Sequence, residues 1–155
     1  MTQNAALAES IGESDGSGMS AFRPLRKLAP AGTNRPMIVD CPSAYVVDGD
    51  TLRCGSERLR LLGIDAPEMG RCPHWRVCVP GDGQSSKQSL VYALRLGPIR
   101  YQSVTVDRFG RTVAVVWAGS VNLSCWQLQR RQATYKPEWD NGHLVGNACR
   151  RSARD

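Results

Sequence analysis

Between positions 44 and 64 short apolar runs are cut by polar turns: YVVD, TLRC and RLRLLGI stand apart at DGD and GSE. β-branched residues and leucines alternate with charges here, which predicts a three-stranded meander. Downstream the period lengthens. In GDGQSSKQSLVYALRLGP, Leu90, Val91 and Leu94 share a helical face, Ser85 and Gln88 make a capping-box pattern, and Gly97-Pro98 stops the helix. RYQSVTVD and TVAVVWA then read as two strands joined at RFGR, and NLSCWQLQRRQA as a second helix whose apolar contacts come from Leu123, Trp126 and Leu128. The stretch TYKPEWDNGHLVGNACR reads as loop with at most a short helical piece. Residues 1–38 lack sustained periodicity and are rich in Ala, Ser, Gly, Asn and Pro, the composition of a disordered leader. The organisation expected is thus a leader (1–38), a folded domain (39–150) and a flexible tail (151–155). The order of elements is that of a mainly β domain, a small barrel under helical cover.

Charge adds a constraint. The chain of 155 residues carries a net charge of +6, and residues 1–40 sum to zero, so the surplus lies in the folded part. A basic domain attracts polyanions, nucleic acid first among them; the plain alternative is a merely soluble basic surface. No run approaches the roughly 18 consecutive apolar residues of a membrane span, so no membrane association is expected. Residues 1–30 show no basic start followed by an apolar core, which leaves the cytoplasm as the default compartment. Six cysteines qualify that default toward export. Cys72 and Cys78 can close a short loop and Cys125 and Cys149 can form a second pair, but free buried thiols fit as well, since connectivity is not legible in spacing. No C-x2-C pair occurs, which excludes the usual zinc frameworks.

Three charged clusters fall at strand ends: Asp48-Gly49-Asp50-Thr51, then Arg60 with Asp65-Ala66-Pro67-Glu68, then Asp107-Arg108-Phe109-Gly110-Arg111. Singly each reads as turn chemistry. Arg60 is harder to set aside. Strand alternation puts it on the side of Leu62 and Ile64, where a guanidinium needs a carboxylate or an anion as partner. In combination, VVDGDT, RLRLLGIDAPE and DRFGR around one capped helix resemble the staphylococcal nuclease (thermonuclease) family over about residues 44–136.

That resemblance implies a five-stranded OB-fold barrel capped by two to three helices. It also implies a calcium-dependent phosphodiesterase acting on DNA and RNA with little sequence selectivity, leaving 3′-phosphate ends. By the resemblance Asp50 and Asp65 hold Ca2+ with the backbone carbonyl of Ala66, and Asp48 reaches the ion through water. Glu68 orients or deprotonates the attacking water, Arg60 and Arg111 bind phosphate, and Tyr135 lies against the nucleotide. The residue types suit that chemistry independently. Hard carboxylate oxygens bind a hard cation, and guanidinium forks match phosphate oxygens in two-pronged fashion. The alternative is a non-catalytic OB-fold module that binds nucleic acid or protein. Nothing in the sequence points to more than a monomer.

The sequence also departs from the family pattern. Ala133 stands where the family places a second tyrosine, and Phe109 where a tyrosine is common. Trp139 and His143 occupy a stretch unlike the family's terminal helix, with His143 expected at the surface. The segment Arg71–Pro80, directly after Glu68, reads either as a stiffened lip beside the site or as a pinned surface loop.

Overall fold

The computed structural model describes residues 35–154. The strands are β1 (Ile38–Asp40), β2 (Ala44–Asp48), β3 (Thr51–Cys54), β4 (Glu57–Leu61), β5 (Ile64–Asp65), β6 (Ile99–Val106), β7 (Thr112–Ala118), β8 (Val121–Asn122) and β9 (Thr134–Tyr135). The α-helices are α1 (Gly83–Ala93), α2 (Leu123–Gln129) and α3 (Leu144–Ser152). The domain is therefore mainly β with helices, as expected. Most of the leader expected over 1–38 lies outside the described residues, but Ile38 already opens β1.

The main sheet runs β1-β6-β7-β4-β3-β2, with β8 on β7, while β5 pairs with β9 apart from it. β4 and β7 are parallel and the other pairs antiparallel. This sheet is open, where the resemblance implied a closed five-stranded barrel. β1 and β2 stand at opposite ends of the path, and β5 leaves it to pair with β9. A covalent link spans the ends instead. Cys41, which follows β1 and donates its N–H to the Ile99 carbonyl, is bridged to Cys54 of β3. The chain beyond one edge strand is thereby tied to the strand next to the other edge.

Alternation explains where the core sits. Leu52, Leu59 and Leu61 point inward from β3 and β4, and Ala114, Val116 and Ala118 from β7, to meet Leu90 and Ala93 of α1 and Leu123 and Trp126 of α2. The other face of β7 is also covered: Val113, Val115 and Trp117 pack with Leu62, Tyr135 and Val145. A strand buried on both faces reads as a continuous apolar run, and TVAVVWA is one.

The helices differ from the sequence reading in several places, α2 for one ending at Gln129 rather than running to Ala133. The N-cap of α1 is Asp82, whose carboxylate accepts from the Gln84 N–H, rather than a Ser85–Gln88 box. The Ser85 hydroxyl itself donates to Asp82. Its buried face is Gly83, Ser86, Leu90 and Ala93, with Val91 exposed, because Ser86 is taken inward by polar partners. And α3 is a full helix, running into the expected 151–155 tail, where the sequence promised only a fragment.

The reason for that miss is that α3 is held from outside itself. The carboxylate of Asp140 accepts the N–H groups of Val145 (3.0 Å) and Gly146 (2.9 Å) and the hydroxyl of Tyr135 (2.8 Å). A carboxylate on the first N–H groups of a helix satisfies donors that lack intrahelical partners and complements the helix dipole. A bridge from Cys125 to Cys149 then ties α3 to α2.

Glu57 joins three strands. It accepts from Thr112 of β7 and Tyr101 of β6, both at 2.6 Å. The Thr112 bond and then the Tyr101 bond hold the Glu57 carboxyl below its ordinary value, while Glu57 pushes the Tyr101 phenol up to about 12.

Replacing Cys125 and Cys149 together by serine should lower unfolding free energy by about 3 kcal/mol, from the loop entropy of the enclosed segment. Denaturant titration should show it, with α3 amides losing protection first. Because the folded-state pKa of Glu57 is depressed, its contribution is present above the unfolded value, near 4.5, and is lost as pH falls through the folded one. Glu57→Gln should therefore be less stable than the parent at neutral pH, with the gap closing in acid; a gap constant with pH would contradict this role.

Candidate functional site

The DGD turn is fixed from behind. Val46 pairs with Leu52 and Asp48 with Thr51, so a bulge falls between Val46 and Asp48 and re-aims the carboxylates that follow. Gly49 is required by close approach, since a Cβ there would lie 2.0 Å from the Ser86 hydroxyl. Its carbonyl accepts from the buried Gln127 side chain at 2.7 Å, and the same amide nitrogen reaches the Ser86 carbonyl at 2.9 Å. Gln127 thus pins the turn to α1 from the end of α2. The DAPE corner is fixed in a similar way. A Cβ on Gly83 would meet the Glu68 carbonyl at 2.2 Å, so α1 starts directly against the backbone of Glu68.

From these two corners Asp50 and Asp65 converge, both nearly fully buried. Between them lies Arg60 of β4, which pairs with Asp50 and reaches Asp65 Oδ1 at 3.3 Å and the Ile64 carbonyl at 3.2 Å. The strand parity that put Arg60 beside Leu62 and Ile64 does not run that far, because β4 ends at Leu61 and the chain turns before β5. The need for a carboxylate partner nevertheless holds. Burial works against the charge of Arg60, but Asp50 and then Asp65 outweigh it and raise its pKa above the ordinary value. The second oxygen of Asp50 accepts the Ala66 N–H at 2.8 Å. Asp48 stands one step back, accepting the Asp50 N–H at 3.1 Å. Burial, and then the charge of Asp50, push its carboxyl above the ordinary value.

A groove opens in front of these groups. Its smaller lobe, about 280 Å³, is lined by Asp48, Asp50, Asp65, Ala66 and Glu68. The larger lobe, about 590 Å³, is lined by Arg108, Lys136 and Trp139 among others. Arg60, Asp65, Trp75, Arg76, Phe109 and Arg111 line both, so a half in which carboxylates and arginines balance adjoins a more basic, aromatic half. Arg111 is aimed by Asp107, which accepts its Nε–H at 2.7 Å and its backbone N–H at 3.0 Å. Burial opposes the Asp107 charge, but these bonds and the Phe109 N–H prevail and hold its carboxyl below the ordinary value.

Asp48, Asp50, Asp65, Ala66, Glu68, Arg60 and Arg111 therefore share one groove. Tyr135 lines neither lobe. It packs in the cluster under α3, and its hydroxyl is spent on Asp140, which raises its pKa after the larger effect of burial. An aromatic ring is supplied to the larger lobe by Trp139, with Arg60 5.4 Å and Lys136 5.7 Å from its ring centre. His143 is exposed, as expected.

Arg76 is the functional candidate that sequence reasoning missed. It sits within the loop closed by a Cys72–Cys78 bridge and reaches both oxygens of Asp65, at 3.1 and 3.0 Å, and Glu68 at 2.9 Å. The only signal available was an arginine and a tryptophan between two cysteines just after Glu68. Among the described residues no group of three or more His, Cys, Asp or Glu side chains is arranged to hold a metal ion. Nor is any helix among them long and apolar enough to cross a membrane.

No protein-family model matches the chain. It is 29% identical over 126 residues to the succinoglycan biosynthesis protein ExoI of Rhizobium meliloti (strain 1021), across 76% of this chain and 61% of that protein. The match therefore spans less than two thirds of that relative's length. It is 27% identical over 115 residues to the thermonuclease of Staphylococcus intermedius, across 70% of this chain and 68% of that enzyme. By sequence the chain is thus distantly similar to a thermonuclease.

Proposed function

We propose that this chain is a calcium-dependent nuclease that hydrolyses phosphodiester bonds of DNA and RNA with little sequence selectivity. One observation carries the reading: two buried carboxylates from separate turns converge on Arg60, in a groove that also presents Arg111. The distant similarity to a thermonuclease supports it. So does the basic surplus, because affinity for a polyanion needs no base-specific contact.

The donor set suits a hard divalent cation. Asp50 and Asp65 offer carboxylate oxygens and Ala66 a carbonyl, a share of three that leaves room for water and phosphate. Asp48 would act through water. Such a cation would neutralise part of the phosphate charge and polarise a water molecule. The chain's own groups do the rest. Arg60 and Arg111 bind the phosphate oxygens, and their hydrogen bonds strengthen as charge grows on pentacoordinate phosphorus. Glu68 orients the attacking water and accepts its proton. Three disulfides favour work outside a reducing cytoplasm.

A second reading, a non-catalytic OB-fold module binding nucleic acid or protein, draws on the fact that Asp50, Asp65 and Glu68 already pair with arginines. A cleavage assay on single-stranded DNA with calcium, magnesium or chelator separates the two. Calcium should stimulate cleavage and chelator abolish it. Arg111→Ala should lower turnover roughly a hundredfold to a thousandfold with little change in KM. Glu68→Gln should slow cleavage with calcium binding intact. Tight binding without cleavage under any metal, or cleavage indifferent to chelator, would refute the proposal.

A further inference from the structure

We infer that Arg76 is a tethered counter-ion, which a divalent cation must displace from Asp65 and Glu68 before the site can load. The inference rests on the metal-site reading above and concerns how that site is regulated.

Asp65 has no oxygen facing the groove without a guanidinium on it: Arg76 reaches both, and Arg60 reaches Oδ1 as well. A cation that uses Asp65 must therefore take an oxygen from an arginine. The two arginines differ in what that would cost. Arg60 is carried by a strand paired on both sides, its side chain 12% exposed and bonded also to Asp50 and the Ile64 carbonyl. Withdrawing it would strand a buried charge. Arg76 is carried by a segment without regular secondary structure, its side chain 28% exposed, so it can swing into the groove without breaking a sheet bond. The guanidinium of Arg76 is the more exposed of the two, so its pairs are the ones within reach of a divalent competitor.

The Cys72–Cys78 ring keeps the competitor close. With six residues of separation between the cysteines, and the Arg76 N–H on the Pro73 carbonyl, the displaced guanidinium cannot leave the neighbourhood. A tethered group acts at a high effective concentration, so the ring strengthens the competition without adding a contact. The displaceable part of the closure is thus one arginine on a covalent leash, outside the catalytic set.

Calcium chloride titrated calorimetrically into the metal-free full chain, without nucleic acid, tests this. Arg76→Ala should bind calcium roughly tenfold more tightly than the parent, the sum of the two ion pairs lost. Arg76→Lys should fall between the two. Cys72→Ser with Cys78→Ser should shift affinity in the same direction by a smaller factor, and Asp50→Asn should abolish the heat. Circular dichroism checks that each variant is folded. If the parent binds and Asp50→Asn does not, but Arg76→Ala binds no more tightly, the counter-ion role is wrong while the metal site stands. If neither the parent nor Arg76→Ala binds calcium, or if Asp50→Asn still binds it, both readings fall.

Discussion

Two carboxylates cannot be buried at neighbouring corners unless something positive lies between them, and in this protein that something is Arg60. Removing one partner from a buried, hydrogen-bonded pair typically costs about 3–5 kcal/mol, because the other is left uncompensated. Arg60 stands on β4, the strand that joins the β3 hairpin to β7. The charge arrangement therefore holds the strand, and the strand holds the charges. Asp50 accepts from Arg60, from the Thr51 hydroxyl and from the Ala66 N–H, so one side chain spans both corners of the site.

Around that constraint the fold supplies rigidity from buried polar groups as well as leucines. Gln127 and Ser86 are fully buried, yet they spend their donors on the carbonyls of Gly49, Ser86 and Gln132. Such bonds contribute modestly to net stability, but an unmade one in the core is expensive, so they specify position strongly. The DGD corner is located by them, and the DAPE corner by the contact of Gly83 with Glu68. Disulfides add covalent ties at three places: between the chain after β1 and β3, within the loop that carries Arg76, and between α2 and α3.

Much of this was legible in sequence because local patterns and tertiary burial agree. The meander, both helices after it and the paired strands follow from period two and period 3.6, and the strand-end motifs gave most residues of the groove. What period alone did not give depended on which side chain captures a given hydrogen bond. Helix α3 is short and fully buries only Val145, and Asp140 and Cys125 hold it in place. Tyr135 fits a nucleotide-facing position by motif, but Asp140 lies five residues on and takes its hydroxyl. Ser85 offered a plausible cap, yet Asp82 won because a carboxylate at that point reaches the Gln84 N–H. Arg76 could not have been found by spacing, since a ring closed by two cysteines decides where it points.

The groove joins carboxylates interleaved with arginines to a more basic, aromatic half, and arginines beside rings suit an anionic phosphate with an attached base. The most direct measurement is a crystal structure of the chain soaked with calcium and a nucleoside 3′,5′-bisphosphate. A cation should be found on carboxylate oxygens of Asp50 and Asp65, with a phosphate group held by Arg60 and Arg111 and Arg76 withdrawn from Asp65. A cation bound elsewhere, or a phosphate that ignores both arginines while Asp50 and Asp65 stay paired as they are, would contradict it.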